Sequence, residues 1–437
     1  MKNETMKKPE LLAPAGDFEK LQMAIAYGAD AVYVGGKQFS LRANAKNFDL
    51  AGLREAVNYA HERGVRVYVG VNIFAHNEDF AGLYEYLVEL KEMGADAVIV
   101  ADLGVLNVAR QVSGLEIHVS TQANVTNWQS ALVYRELGAS RVILARELSF
   151  GELREINDRL ALQQDSFASD GTDVKPFETE AFVHGAMCVS YSGRCLLSNY
   201  MAGRDGNKGD CAQPCRWKYH LMEEMRPGEY IPVYEDERGT YLFNSKDMCM
   251  IEYIPELVKS GVSSFKIEGR MKTAYYVAMV TRIYREALDN YFTDPGLYES
   301  KKGYYLNEIY RTSHRDFITG FYMGKPHEGQ NLTNTVYNNT QEFLGVVLEY
   351  DAQTGFALIE QRNKFAVGDE VEFVGTSAGA GANDGAGTGV SVNRGFRQVL
   401  DEVYDLDGAP VKLAPHPQQR LRVRVDEAVG RFFVMRR

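Results

Sequence analysis

Three stretches of this chain repeat one phrase, Gly28-Ala29-Asp30-Ala31-Val32, Gly94-Ala95-Asp96-Ala97-Val98 and Gly138-Ala139-Ser140-Arg141-Val142, with Gly261-Val262-Ser263-Ser264 as a weaker fourth. Each sets a glycine, the least strained residue for the left-handed turn that ends a helix, directly ahead of a β-branched run. The phrase therefore reads as the joint from a helix into a strand. Apolar runs alternate with helical periodicity around these joints: Leu11-Leu12 before 18–27, 31–34 before 50–63, and 65–71 before 80–93. The alternation continues through 97–100, 117–121, 142–145, 182–184 and 264–267. Repeated βα units with short returns require parallel strands. Eight candidate strands predict an α/β fold closed as a (β/α)8 TIM-type barrel, with an open doubly wound sheet as the alternative.

On that barrel, residues 187–261 form a large cysteine-bearing insertion after strand seven, at the C-terminal face where barrel active sites are built. Beyond residue 343 the pattern changes to short strands, at 343–350, 355–361, 371–374 and 421–425, with Val367-Gly368-Asp369-Glu370-Val371 as a turn between two of them. The expected organisation is a catalytic domain over 1–334 and a small C-terminal β-barrel domain over 335–437. The Gly- and Ala-rich insert at 375–389 has a composition that cannot build a core.

The insertion holds all five cysteines of the 437 residues, four of them, Cys188, Cys195, Cys211 and Cys215, at spacing C-x6-C-x15-C-x3-C. The N-terminal stretch is charged and no span of about 20 apolar residues exists, so the expected location is the cytoplasm, with no membrane partner. In that reducing compartment clustered thiols read as ligands more than as disulfides. An iron-sulfur cluster, a structural zinc and unligated thiols all remain open; the loose spacing favours the first, because zinc knuckles come as two close pairs. Cys249, in an apolar stretch, reads as a core thiol.

Net charge is -11, which argues against nucleic acid binding over the whole surface. The cysteine segment is locally basic, with Arg194, Arg204, Lys208, Arg216 and Lys218 against Asp205 and Asp210, and Trp217 adds a stacking surface. Predicted strand ends supply further polar groups. His118, Ser120 and Gln122 alternate along strand five and so face one side, either as a polar layer in the barrel floor or as a substrate-facing wall. Lys266, Glu268 and Arg270 alternate at strand eight, where three buried charges need partners or an anion. His184 ends strand seven four residues before Cys188; Asn72, Asp102 and Arg146 end other strands, and Arg42 follows strand two. No H-E-x-x-H, G-x-S-x-G, P-loop or Rossmann glycine motif is present, so ordinary hydrolase and nucleotide-cofactor chemistry loses ground.

Four motifs now stand in order: Glu10-Leu11-Leu12-Ala13-Pro14-Ala15-Gly16, Ala31-Val32-Tyr33-Val34-Gly35, the run His184-Gly185-Ala186-Met187-Cys188 to Ser192-Gly193-Arg194-Cys195, and Lys266-Ile267-Glu268-Gly269-Arg270. Over about the first 330 residues they resemble the collagenase-like peptidase family of unassigned catalytic type. Within it the chain is most similar to the branch that hydroxylates the wobble uridine of tRNA at carbon 5, a reaction linked to prephenate. The resemblance implies a (β/α)8-type catalytic domain and a [4Fe-4S] cluster on Cys188, Cys195, Cys211 and Cys215. The expected function is iron-sulfur-dependent tRNA uridine 5-hydroxylation, with prephenate as cosubstrate, the tRNA anticodon loop as partner and an unidentified electron donor. His118, His184 and Glu268 are the acid/base candidates. Arg42, Gln122, Arg146, Lys266 and Arg270 are the substrate-binding candidates, and Arg194, Arg204, Lys208, Arg216, Trp217 and Lys218 the RNA-binding ones. A collagenase-like peptidase and a tRNA-binding or electron-transfer subunit are the rival readings.

Overall fold

A computed structural model describes residues 7–40, 47–167, 176–188, 190–192, 194–204, 206, 210–214, 221–222, 230–231, 234–236, 239–241, 246–324, 341–376 and 395–437. The first six βα units are β1 (Glu10–Pro14) and α1 (Phe18–Ala26), β2 (Ala31–Gly35) and α2 (Leu50–His61), β3 (Arg66–Val71) and α3 (Leu83–Glu92), β4 (Ala97–Val100) and α4 (Leu103–Ala109), β5 (Glu116–Val119) and α5 (Trp128–Glu136), and β6 (Arg141–Ile143) and α6 (Phe150–Phe167). Then come β7 (Glu178–Ala186), α7 (Leu197–Ala202), β8 (Asp247–Cys249), α8 (Ile254–Lys259), β9 (Ser264–Ile267), α9 (Ala274–Thr293), α10 (Pro295–Tyr310) and β10 (Phe317–Ile318). β1 to β7 pair in sequence order, and β9 pairs in parallel with both β1 and β7, so the ring shuts as an eight-stranded barrel. The joint glycines Gly28, Gly94, Gly138 and Gly261 all take positive φ, as their phrase predicts.

β7 is the long strand. Its first part lies in the ring, and its last three residues pair antiparallel with β8, which β10 extends, while His184 still pairs with β9. The eighth barrel strand is thus β9, and β8, inside the expected insertion, belongs to a small extension of the sheet.

The lower end of the barrel is a charge network that hydrophobicity alone does not foretell. Arg141, 1% exposed, donates to Glu10 at 2.7 Å, Glu178 at 2.5 Å and Glu180 at 3.0 Å. Lys266 reaches Glu180 at 2.7 Å, Tyr68 and Ser264 donate to Glu10, and Arg66 closes on Glu10 from outside. Three cations meet three carboxylates, so no buried charge is left alone, the condition on which burial of ion pairs is tolerable. Burial would raise the Glu10 pKa, but the Arg141 guanidinium more than reverses this and holds it below the ordinary carboxylate range.

The C-terminal part has its own core, including Leu344, Ile359, Phe373, Leu421, Val423 and Phe433. Its strands are β11 (Phe343–Asp351), β12 (Phe356–Gln361), β13 (Phe365–Ala366), β14 (Glu370–Val374), β15 (Gly395–Val399), β16 (Val403–Tyr404), β17 (Leu413–Ala414), β18 (Arg420–Arg424) and β19 (Val434–Arg436). Seven make an antiparallel sheet in the order β15-β14-β19-β11-β12-β18-β16, and β13 pairs with β17. The predicted turn at 367–371 forms, with Gly368 at φ +96 and Asp369 accepting from the Ala366 amide. Most of the insert at 375–389 lies outside the described residues. Met23 and Tyr27 of α1 and Tyr275 and Met279 of α9 pack against Val346, Val374, Phe432 and Val434. Arg436 crosses this contact to Glu308 of α10 at 2.9 Å, and within its own sheet it pairs with Glu372 of β14 at 3.0 Å. Among the described residues no helix is long and apolar enough to cross a membrane.

Candidate active site at the barrel mouth

The C-terminal ends of the strands collect uncharged hydrogen-bonding groups around two arginines. Arg270 donates to Ser40 Oγ at 3.2 Å and to Asn47 Oδ1 at 2.7 Å. Close-approach glycines make this arrangement possible. A Cβ on Gly35 would stand 2.3 Å from Arg270 Nη2, and one on Gly185, at φ +111, would stand 2.6 Å from the Glu268 carbonyl oxygen. Gly16 meets the same segment, a Cβ there standing 2.2 Å from the Arg270 carbonyl oxygen, so three of the four sequence motifs owe a glycine to the approach of 268–270. Arg146 donates from Nη1 to the Ala186 carbonyl at 2.7 Å, lies 4.0 Å over the Phe182 ring, and keeps a buried Nε without a hydrogen-bond partner. Opposite, Asn72 Nδ2 and Ser120 Oγ both donate to Gln122 Oε1, at 2.6 and 3.1 Å.

The cysteine segment is fastened to this rim. Asn124, in the left-handed region at φ 55, donates to the Ser192 carbonyl at 3.1 Å and accepts from Arg194 Nε at 2.6 Å. Those two contacts lie between Cys188 and Cys195. Further along, the Ala212 amide donates to Ser198 Oγ at 2.9 Å, tying the neighbour of Cys211 to α7. Cys188 and Cys211 are exposed and Cys195 half-buried. Among the described residues no three His, Cys, Asp or Glu side chains gather as a metal site, and Cys215 lies outside them. Cys188, Cys195 and Cys211 are of the donor type that an iron-sulfur cluster takes.

Two expected groupings are corrected. Strand five ends at Val119, because Ser120 caps the 3-10 turn Thr121–Ala123, so His118 and Gln122 do not share a wall. Gln122 stands at the mouth, whereas His118 lies below it with its ring edge-on to Tyr68 at 4.6 Å. Lys266, Glu268 and Arg270 do not form one network, since the β9–β7 register shifts after Lys266. Lys266 faces the floor through Glu180, Arg270 faces the mouth, and half-buried Glu268 packs at Gly185. His184 is held in an aromatic enclosure of Tyr276, Tyr284 and Phe317, with Nε2 buried and without a hydrogen-bond partner.

Burial, with Lys272 and His314 nearby, pushes the His184 pKa down to about 3, and burial with Arg141 and Lys266 lowers that of His118 well below the ordinary value. Both imidazoles are therefore held neutral near pH 7, which makes them weak bases there. Asp102 is occupied as the N-cap of α4, accepting from Gly104 and Val105 amides. Arg204 is paired with Asp210 at 2.6 Å. Arg42, Lys208, Arg216, Trp217 and Lys218 lie outside the described residues. Sequence reading missed Asn124, Ser40 and Asn47; the only advance signal was an asparagine just past a strand, a residue type that tolerates left-handed backbone.

The chain is 39% identical over 433 residues, 99% of its length and 95% of the relative's, to a protein of Bacillus subtilis (strain 168) named tRNA hydroxylation protein P1. It is 41% identical over 85% of its length to a Methanocaldococcus jannaschii protein named as an uncharacterized protease, covering 88% of that protein. It is 36% identical over 66% of its length to the 23S rRNA 5-hydroxycytidine synthase of Escherichia coli (strain K12), of which it spans 40%. Residues 339–384 match the C-terminal domain of peptidase family U32 and residues 16–332, the whole barrel from the first motif glycine onward, match the family's main region. The chain belongs to peptidase family U32.

Proposed function

We propose that this protein is a cytoplasmic RNA hydroxylase that converts the wobble uridine of tRNA to 5-hydroxyuridine, with prephenate as cosubstrate and a [4Fe-4S] cluster on Cys188, Cys195, Cys211 and Cys215. The observation that carries the reading is the cysteine segment fastened by Asn124 and Arg146 over a mouth that offers Arg146 and Arg270, in a chain similar along almost all its length to a named tRNA hydroxylation protein. Replacing C5–H by C5–OH is a two-electron oxidation and needs an oxygen source and an electron path. A thiolate-bound cluster supplies one-electron transfer when present. The chain's own residues bind and orient. Two guanidiniums at the mouth suit the carboxylates of prephenate, while Asn72 and Gln122 offer the paired donor and acceptor that a flipped uracil edge requires. Glu268 at the rim is the candidate for taking the C5 proton.

Among the described residues, Cys249 does not give the peptidase reading a nucleophile of the right character. Cys249 reaches Tyr284 at 3.9 Å and Tyr284 reaches His184 at 3.4 Å, but burial pushes the thiol up to about 12 while His184 is pushed down. That is the reverse of an activated thiolate-imidazolium pair. The test is nucleoside mass spectrometry of tRNA from a deletion strain carrying wild type or Cys188→Ser. The expected result is loss of 5-hydroxyuridine derivatives with the vector and with the variant, together with reduced iron and acid-labile sulfide in the anaerobically purified variant. Unchanged 5-hydroxyuridine in the deletion strain sinks the proposal, and gelatin cleavage by the pure protein restores its rival.

A further inference from the structure

β18 reads Arg420-Leu421-Arg422-Val423-Arg424, and the alternation sorts perfectly: Leu421 and Val423 are in the core, and all three arginines are exposed. A solvated strand face ordinarily mixes charge signs. This one carries a single residue type, the one whose planar fork matches phosphate, within a chain that has 59 acidic residues against 48 basic ones. Alternate positions recur about every 6.8 Å along a strand, so the row is a regular track of guanidiniums.

The neighbours shape the track. Arg424 lies over Phe356 at 5.6 Å and donates to the Thr354 carbonyl; Phe356 meets Tyr404 edge-on at 5.7 Å. Arg420 is 3.6 Å from Glu360, which also holds Arg362 at 2.7 Å. Asp351 and Glu402 flank the row. Arg422, at its centre, makes no hydrogen bond or ion pair within 4 Å among the described residues, and its charge acts at longer range on Asp351, whose carboxyl the Thr354 hydroxyl, with help from Arg422, holds below the ordinary range. Two arginines are thus oriented by the protein and the middle one is open to a ligand.

The track also has a direction. Arg362 pairs with Glu19 in the first turn of α1, which begins where β1 ends at the mouth. Through Glu360 and Arg362, the Arg420 end of the row sits beside the rim, and the Arg424 end leads away from it.

We propose that the β18 arginine row binds the phosphate backbone of the RNA substrate outside the reacting loop, holding the body of the molecule against the C-terminal sheet while the loop enters the barrel. Phosphate contacts fix register without reading sequence, which leaves base recognition to the mouth. The inference rests on the RNA-hydroxylase reading.

The test uses the full chain and an unmodified tRNA transcript, with binding measured from 50 to 200 mM salt. Arg422→Ala is expected to lower the slope of log affinity against log salt by about one, and Arg420→Ala/Arg422→Ala by about two, for all tRNA sequences alike. Arg154→Ala, on exposed α6, is expected to leave the slope unchanged, and circular dichroism with thermal melting checks that each variant folds. If wild type binds and hydroxylates tRNA but the β18 variants keep its slope, the arginine row is not the docking site. Hydroxylation that falls while the slope holds assigns the face to another partner and overturns the inference equally. Failure of wild type to bind tRNA overturns the functional reading itself, and this inference with it.

Discussion

Asn124 joins β5 to a loop almost seventy residues away, and it does so from a backbone conformation that side chains other than Asn and Gly seldom adopt. Its two bonds, to Ser192 and Arg194, are worth about 1 kcal/mol each, too little to unfold a barrel but enough to release a loop. Asn124→Ala is therefore expected to retain its melting temperature within a few degrees while losing bound iron on anaerobic purification and 5-hydroxyuridine in cells. Undiminished iron content would show that the segment is held by other means. At the same scale Arg194, an RNA-binding candidate from the sequence, is oriented by the protein: its Nε meets Asn124 and its guanidinium lies 5.6 Å over Phe74.

At the level of strands and turns, the barrel was legible because Val and Ile runs and joint glycines are local signals. What was not legible depends on who sits opposite. Glu178 and Glu180 open β7, but charges at a strand start read as loop until Arg141, on the neighbouring strand, is seen to pair with them. β8 is three residues long and looked like a core thiol stretch; only its pairing with the end of β7 makes it a strand. The faces of His118 and Lys266 were read correctly as inward, yet the break at Ser120 and the register shift at Lys266 separate them from the mouth. The depressed histidines carry a pH prediction. In the unfolded chain each binds a proton below about 6.5, but folded His184 does so only near 3, so the stability that its neutral form supplies is full above 6.5 and is lost as pH falls. Urea unfolding between pH 6.5 and 4.5 should show a slope of up to about 1.4 kcal/mol per pH unit for each such histidine. His184→Phe, which keeps a ring in the aromatic enclosure, should reduce that slope by one proton; an unaltered slope would place the titration elsewhere.

Across the whole molecule, the two cores meet at an apolar contact that is stitched by the Tyr27 hydroxyl donating to the Val374 and Phe432 carbonyls, by Arg362 on Glu19, and by the buried guanidinium of Arg436. Arg436 is 1% exposed and serves Glu308 of α10, Glu372 of β14 and the Tyr275 hydroxyl. Removing one partner from a buried pair strands the others, at a cost of about 3 kcal/mol. Arg436→Met is expected to lose that amount and to split urea unfolding into two transitions, the C-terminal sheet melting first by intrinsic fluorescence and limited proteolysis; a single transition at the wild-type midpoint would refute the assignment. The family matches at 16–332 and 339–384 fall on either side of this joint. A last consequence follows from the way the ring shuts. Because β7 hydrogen-bonds directly to β9, while Ala186 and Asp247 stand face to face, the chain departs after 186 and comes home at 247 through a single doorway. Lengthening a loop already that long adds only about 0.6 kcal/mol per doubling. Evolution can accordingly rewrite the sulfur-bearing excursion, in size or in cargo, without asking the barrel's permission.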